Sequence, residues 1–315
     1  MRAVRMQTCL VLVGVLLVAS TTEAKSCGDG VECSCGDTVR GTAVLSADLS
    51  GCPDDGLRLK GDAVLDCAGH RISGTDRSEG LALDRAAGAV VRNCRVQGFK
   101  TGIRIRGGGG NLVVGNEVVD NRRYGIELAK ATRENRIEAN LVAGSGDEGI
   151  HIGTGAHATV VVGNEIRDSS RENLYVLSSD GGTFVANVLT GSGKAAIYMK
   201  HSSDNLFSAN DVQGHIVHVR GHSIANRFED NRLEGGRYVF EAYKGSHPAA
   251  VKRWTRPADN AVVGGSVLDV KTCFQFKGAS DNRATDVVGD GCKPMKQSKK
   301  GGQKAKRNSV SLAAT

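Results

Sequence analysis

The side chains of this sequence that could do chemistry together lie at matching places in two successive repeats. Tyr198 and Lys200 belong to one repeat, and His218 and Arg220 belong to the next. A lysine beside an arginine is pushed toward its neutral form by charge repulsion, so Lys200 could act as a base. Arg220 could bind a carboxylate through two parallel hydrogen bonds, and Tyr198 or His218 could deliver a proton. These are the groups that β-elimination from a uronate sugar would require.

A repeated four-residue phrase determines where these residues fall. Its second and fourth positions are apolar, apart from Glu241 in the last and looser copy, and successive copies are 20 to 24 residues apart. The copies begin at Gly102, Gly125, Gly149, Asn173, Ala196, Ile216 and Tyr238. Period-two alternation interrupted by glycine and asparagine predicts short strands and excludes amphipathic helices. The spacing of leucines that a leucine-rich repeat needs is also missing.

Asparagine recurs in register with this phrase. One series is Asn116, Asn140, Asn164, Asn187, Asn210 and Asn231, and a second is Asn111, Asn135, Thr159, Thr183, Asn205 and Asn226. Stacked asparagines tolerate left-handed turns and can link their amides along the stack. We therefore predict an all-β, right-handed parallel β-helix of about 8–10 coils stacked at about 4.8 Å. Because only 4% of the residues are aromatic, we expect an aliphatic core.

The repeat also predicts which residues point outward. The third position of each phrase gives the column Arg104, Glu127, His151, Tyr175, Tyr198, His218 and Phe240. The position two residues later gives Arg106, Ala129, Gly153, Leu177, Lys200, Arg220 and Ala242. Rings with basic neighbours suit an acidic sugar chain, and the predicted substrate-binding residues are Tyr175, His151, Glu127, Phe240 and His222. The alternative is a ladder of rings that only stabilises the sheet.

The two ends of the chain differ from its body in composition. Residues 1–24 have a basic start, a short apolar run and small residues before the expected cleavage, as in a signal peptide. We predict a disulfide-rich cap over residues 25–60, the β-helix over 61–292 and a basic, disordered tail over 293–315. The stretch from Gly245 to Asp259 interrupts the repeat, and it could cap the stack or overhang the outer face.

Eight cysteines remain once the predicted signal peptide is removed. They are Cys27, Cys33, Cys35, Cys52, Cys67, Cys94, Cys273 and Cys292. An even number near the two ends of an exported chain predicts disulfides that secure the ends of the stack. Cys67 is roughly one coil from Cys94, so we pair these two, and we pair Cys273 with Cys292.

The formal net charge of +7 is unevenly distributed. Seven positive charges lie beyond Asp290, where there is no acid, and the predicted signal peptide contributes one more. The body is therefore close to −1, and the basic pI does not describe it. A run of like charge without acids predicts a solvated tail. We expect a secreted or periplasmic monomer with an acidic glycan as partner, without nucleic acid binding or a membrane span.

The chain resembles the right-handed β-helix repeat family with the pectin-lyase-like fold, from about Leu57 to Gly289. The phrase Cys35-Gly-Asp-Thr38, followed by the stretch from Leu65 to Gly74, is similar to the family's N-terminal coil. This resemblance implies the fold, whereas the fold hosts lyases, hydrolases, epimerases and proteins without activity.

A narrower resemblance to the chondroitinase B and alginate lyase family covers Ile197–Asn210 and Val217–His222. It implies that Lys200 and Arg220 serve as the base and as the acid or charge stabiliser. The sequence departs from the family pattern because His201 follows the lysine and Gly221 precedes His222. Gly193 and Ala195 stand where that family has acidic calcium ligands. Calcium would suit the family's chemistry, but its ligands are missing here, so we expect no cofactor.

Other patterns in the sequence point to weaker alternatives. Asp147 and Glu148 beside His151 could be the paired acids of a glycoside hydrolase, although neighbours on a turn rarely point at one bond. A cell-envelope binding or scaffold protein without activity is the non-enzymatic alternative. We predict no metal site, because the cysteine-rich segment lacks nearby histidines and the spacing of His157, His215 and His222 is unsuitable.

Overall fold

The computed structural model describes residues 25–246 and 252–313. There the chain forms a parallel β-solenoid of about 12 turns without any helix. The predicted fold is confirmed, and the structure has more coils than the 8–10 expected. The additional coils come from the two ends, because parts of the predicted cap and tail also pair with the stack. The predicted signal peptide lies outside the described residues.

Sheet 1 is a ladder of 13 parallel strands, and its outer face carries the predicted site. The outward side chains of these strands alternate with buried ones, as in Ala195–Lys200. The strands are Ser26–Cys27, Thr38–Val39, Leu57–Leu59, Glu79–Asp84, Thr101–Arg106, Tyr124–Ala129, Ile150–Ile152, Glu172–Leu177, Ala195–Lys200, Val217–Arg220, Tyr238–Glu241, Thr272–Lys277 and Lys293–Ser298.

Two further ladders complete each coil, and Arg283–Gly289 joins them because it pairs with both. The strands of sheet 2 are Thr42–Val44, Val64–Asp66, Val90–Arg92, Leu112–Val114, Arg136–Glu138, Val160–Val162, Thr183–Val185, Leu206–Ser208, Arg227–Glu229, Ala261–Val263, Arg283–Gly289 and Ser309–Leu312. The strands of sheet 3 are Leu49–Cys52, Arg71–Gly74, Arg95–Gln97, Glu117–Val119, Leu141–Ala143, Glu165–Arg167, Val188–Thr190, Asp211–Gln213, Arg232–Glu234 and Ser266–Leu268. Outside the three ladders, Tyr243–Ser246 pairs with Lys252–Thr255 as an antiparallel hairpin.

Buried asparagine ladders hold the coils at a constant spacing. The amide of Asn187 donates to Asn210 at 2.9 Å and accepts from Asn164 at 3.0 Å. The same pattern runs without a break from Asn116 to Asn231. Each such side chain satisfies backbone groups of the turn below or above it, and leaving those groups unpaired would be costly.

The second asparagine ladder is interrupted and then continues further than predicted. Thr159 replaces asparagine, and Nδ2 of Asn135 has no hydrogen-bond partner among the described residues. The next position is Gly182, whose N–H donates to Asn205, so the prediction of Thr183 was one residue out. From Asn205 the ladder runs through Asn226, Asn260 and Asn282 to Asn308.

The core changes from aliphatic to aromatic along the stack, which the low aromatic content did not suggest. Phe184, Phe207 and Phe228 stack inside the bore with ring centroids 4.4 and 4.9 Å apart. All seven phenylalanines of the chain are buried: Phe99, Phe184, Phe207, Phe228, Phe240, Phe274 and Phe276. Every phenylalanine therefore contributes to stability through burial and stacking.

Four disulfides lie near the ends of the solenoid, as predicted. They join Cys27 to Cys33, Cys35 to Cys52, Cys67 to Cys94 and Cys273 to Cys292. The two pairs chosen from spacing are confirmed. Four disulfides indicate an oxidising location outside the cytoplasm.

The prediction of a disordered tail is wrong for residues 293–313. Lys293–Ser298 extends sheet 1, Ser309–Leu312 extends sheet 2, and Asn308 completes the second asparagine ladder. The backbone pairs with the preceding coil, so the charged side chains can remain in solvent while the segment stays ordered. The density of positive charge alone was therefore not enough to predict whether this segment is ordered.

Candidate functional site

Strand register brings together most of the residues predicted for the site. Glu127, His151 and Tyr175 lie on adjacent strands of sheet 1, directly opposite one another. Tyr198 follows Tyr175, and His218 follows Tyr198. Lys200 lies opposite Arg220 on the next strand. We call the outward column that starts at Arg104 the ring column, and we call Lys200 with Arg220 the lysine–arginine step. The first six members of the ring column, and both residues of the step, lie where the repeat predicted them.

The predicted position of Phe240 is wrong. Val239 lies opposite His218, and Glu241 lies opposite Arg220. Phe240 points into the bore, where it is buried and stacks on Phe276 at 5.4 Å. Three consecutive apolar residues made the register ambiguous at this coil, and the correct step is one residue shorter. Phe240 therefore cannot bind a substrate. Glu241 replaces Ala242 in the outward column that contains Lys200 and Arg220.

The rings of the outer column stack on each other. His151 lies 5.0 Å from Tyr175 and is nearly parallel to it, and Tyr175 lies 5.1 Å from Tyr198 with an interplanar angle of 1°. His218 meets Tyr198 edge-on at 5.2 Å. Ring faces covered in this way stabilise the sheet, so the column cannot offer them to sugar rings. The two tyrosines and two histidines of the column are half-buried, and Nδ1 of His151 and Nε2 of His218 are inaccessible to solvent.

Glu241 lies at the centre of a basic cluster. Sequence reasoning missed Glu241 itself and two of the cations, Lys277 and Lys300. The Glu241 carboxylate, of which only 7% is exposed, lies 3.4 Å from both His218 and Arg220. Lys277 approaches to 3.5 Å and Lys300 to 3.1 Å. The imidazole of His218 and the surrounding cations hold the pKa of Glu241 well below its ordinary value of 4.5. Lys300 comes from the tail, whose order the sequence did not reveal.

Tyr243 covers the lysine–arginine step. Nζ of Lys200 lies 3.8 Å from the centre of the Tyr243 ring, and the Arg220 guanidinium lies 4.7 Å from it. Cation–π contacts of this kind are attractive and hold Tyr243 against the two cations. We define the C-terminal basic cluster as Lys200, His218, Arg220, Lys277 and Lys300.

The side chain of Arg220 is already engaged by the protein. Nη1 donates to the hydroxyl of Tyr198 at 3.2 Å, while Nη2 pairs with Glu241. Burial raises the pKa of Tyr198, so its hydroxyl keeps its proton at neutral pH. The sequence predicted that Arg220 would offer two free N–H groups to a substrate carboxylate. In this arrangement it does not.

His222 lies just beyond the cluster and is exposed. Its backbone N–H donates to Nδ1 of His201 at 3.0 Å. The ring of His201 is largely buried and meets Tyr243 edge-on at 5.7 Å. His201, which interrupts the lyase-like phrase, thus supports the turn under Tyr243.

A pair of buried acids lies at the other end of the ring column. Asp147 turns toward Arg123, at 3.1 Å, and does not act with Glu148 as the hydrolase alternative required. Glu148 instead pairs with Arg171 at 3.3 Å and lies 3.8 Å from His151. Glu172 on the next coil is also buried and lies 3.5 Å from Arg171.

The environments of these two acids differ. Burial alone would raise the pKa of Glu148, but His151 and Arg171 bring it below its ordinary value. Burial and the negative charge of Glu148 raise the pKa of Glu172. Sequence reasoning missed Glu172 because its position, one residue before the phrase and three before the ring, was not followed along the repeat.

Comparison with solved structures identifies similar folds at low sequence identity. The Dettilon tailspike protein gp208 has a TM-score of 0.61 and 14% identity over 91% of this chain and 60% of its own. The A-module of mannuronan C-5 epimerase AlgE6 from Azotobacter vinelandii has a TM-score of 0.54 and 12% identity over 89% of this chain and 81% of its own. A mutant of the periplasmic alginate epimerase AlgG has a TM-score of 0.52 and 13% identity over 90% and 76%.

These similarities show the fold alone. This chain spans about 60% of the tailspike protein's length. No curated protein sequence matches the chain significantly. Across the described ranges, we find no helix with the length and apolarity needed to cross a membrane.

One family model, described as "Periplasmic copper-binding protein (NosD)", matches residues 56–268. Copper favours cysteine, methionine and histidine ligands. Here all eight cysteines outside residues 1–24 form disulfides, Met199 is fully buried in the core, and no group of three or more His, Cys, Asp or Glu in the described ranges could hold a metal ion. The described residues thus do not fit a copper site. Because the family match covers about two thirds of the sequence, the chain belongs to the NosD family.

Proposed function

We propose that this protein binds an acidic polysaccharide along the outer face of sheet 1, outside the cytoplasm. The observation that carries the proposal is the C-terminal basic cluster, in which three cations and a histidine surround one carboxylate. The fourth cation of the cluster, Lys200, lies opposite Arg220. Lys277 and Lys300 are about one third or more exposed and can reach an external anion. Glu241 neutralises only one of the four charges.

The ring column beside the cluster supports a sugar as the ligand. Its half-buried tyrosines and histidines carry phenol hydroxyls and imidazole nitrogens, which are groups that can form hydrogen bonds with sugar hydroxyls. The fold is shared with a mannuronan C-5 epimerase and with an alginate epimerase, which are enzymes named for polysaccharides. Carboxylate or sulfate groups on the chain would meet the lysines, and hydroxyl groups would meet the ring edges.

Binding measurements on the purified protein test this proposal. We expect alginate, polygalacturonate or heparin to bind in titration calorimetry, whereas neutral dextran should not. The double variant Lys277→Ala and Lys300→Ala should weaken binding at least about tenfold, with a strong dependence on salt. Arg95→Ala on sheet 3 is the control and should bind as the wild type does. Equal binding by both variants, or preference for dextran, would contradict the proposal.

Cleavage by β-elimination is a second candidate, favoured by the hydrogen bond between Arg220 and Tyr198. Tyr198 keeps its proton and could donate it to the departing oxygen, while Lys200 would have to lose its proton to act as the base. An unsaturated uronyl product that appears with wild type and disappears with Lys200→Ala would support cleavage. If the wild type binds polysaccharide without forming this product, the protein is a binder.

A further inference from the structure

A second basic surface lies near the N-terminal end of sheet 1. A cleft of about 890 Å³ is lined by five cationic residues and one acid. We call it the N-terminal basic cleft, and its cations are Arg58, Lys60, Arg85, Arg106 and Lys130. They come from four successive coils of sheet 1, where Arg58 lies within a strand and the other four lie at or just after strand ends.

Most of the positive charge in this cleft is not neutralised. Arg58 pairs with Asp55 at 2.9 Å, and the acid of the cleft, Asp84, lies 3.8 Å from Arg104 outside it. Within the described ranges, the other four cations of the cleft form no salt bridge. Like charges on neighbouring strands repel one another. A surface that collects them without carboxylate partners stabilises a bound anion better than it stabilises the fold.

The cleft and the C-terminal basic cluster are linked by one column of outward positions. Arg106 lies opposite Ala129, and Leu177 lies opposite Lys200. Gly153 occupies the same column between them, and the His151 ring lies 3.3 Å from the place a Cβ would take there. Ala129 and Gly153 add little bulk to this column and Leu177 adds more, and we call this strip beside the ring column the trough. Four coil steps of about 4.8 Å place Arg106 roughly 19 Å from Lys200 along the stack.

We infer that the N-terminal basic cleft and the C-terminal basic cluster are the two ends of one groove that binds a single acidic glycan chain. The inference rests on the proposed function. A pyranose residue advances an extended glycan by about the spacing of one coil, so one chain must have several residues to reach both ends. Simultaneous engagement makes the second contact intramolecular and raises affinity sharply.

A series of oligosaccharides of increasing length tests the inference. Oligogalacturonates from the dimer to the decamer would be titrated into wild type and into the double variant Arg106→Ala and Lys130→Ala. We expect wild-type affinity to rise at least tenfold once the chain spans both ends, and the cleft variant to lose this rise. Dimers should bind both proteins about equally. A matched heparin series distinguishes sulfate from carboxylate, and Arg95→Ala is again the control.

The outcomes separate the two proposals. If long chains bind the cleft variant as tightly as the wild type, the two-ended groove is refuted while acidic glycan binding stands. If affinity rises in proportion to chain length without a step, the groove is also refuted. If neither oligosaccharide series binds the wild type, both proposals fall. Thermal unfolding of each variant verifies that the fold is retained.

Discussion

Glu241 and Arg220 lie opposite each other on adjacent strands, with carboxylate and guanidinium 3.4 Å apart. This pair makes the lysine–arginine step tolerable, because the column continues from Arg220 to a negative charge. Lys277 follows Glu241 on the next strand, so the carboxylate has a cation on either side. One buried acid thereby allows a basic surface to form on a tightly packed sheet.

Replacing Glu241 with glutamine should destabilise the protein by about 3 kcal/mol at neutral pH, because the change leaves clustered cations without their partner. The pKa of Glu241 is lowered in the folded state, so its stabilising effect is complete above its ordinary pKa of 4.5 and declines as the pH falls below that value. Urea unfolding of both proteins at pH 7 and at pH 3.5 checks this.

The difference in unfolding free energy between wild type and Glu241→Gln should therefore shrink at the lower pH. Glu165→Gln, which changes an exposed acid of sheet 3, is the control and should unfold like the wild type at both pH values. A difference that stays constant with pH would mean that the Glu241 charge does not stabilise the folded state.

Asn187→Ala should destabilise the solenoid by about 3 kcal/mol, because several buried hydrogen bonds end on this amide. Guanidinium unfolding gives the free energy. The neighbouring Val188, 38% exposed on the same turn, provides the matched control. Val188→Ala should cost less than about 0.5 kcal/mol. Equal losses in the two variants would mean that the ladder contributes no more than a surface contact.

Glu127→Gln should strengthen binding of acidic glycans about threefold at low salt, because Glu127 borders the trough between the two basic surfaces. Titration with polygalacturonate at low and at high salt measures this, and the gain should disappear at high salt. Glu165→Gln should leave the affinity unchanged. A loss of affinity would show that Glu127 instead donates or accepts an essential contact with the ligand.

Deleting residues 293–315 should lower stability by on the order of 3 kcal/mol, because the deletion uncovers Phe274 and Phe276 at the end of the core. It also removes Asn308 from its ladder and Lys300 from Glu241. Differential scanning calorimetry on the full and shortened chains measures the change. A disordered tail would give identical transitions.

Much of the fold follows from sequence, since period-two alternation and recurring asparagine leave little freedom for another architecture. The repeat also placed His151, Tyr175, Tyr198, Lys200 and Arg220 on one face, which the strand pairings confirm. The prediction lost its register where three apolar residues are consecutive, as at Phe240. Such a run fits either face, and only the packing of Phe276 against Phe240 decides between them.

The site was harder to predict because its charges come from distant coils. Glu241 gathers Lys277 and Lys300 only after the tail has folded back onto the stack, and no local pattern predicts that return. The exposure of Lys200 likewise depends on the neighbouring hairpin that begins at Tyr243. Tyr243 covers Lys200 although 43 positions separate the two in the sequence.

The asparagine ladders fix the distance between successive coils, so the number of coils sets the distance between any two sites on the solenoid. Each coil meets only its two neighbours, so the chain can gain or lose a whole coil without disturbing the rest. Such a change would move the two basic surfaces apart or together in steps of about 4.8 Å. Relatives with different numbers of coils between these surfaces would then select ligands of different length, while the residues that contact each end of the ligand stay the same.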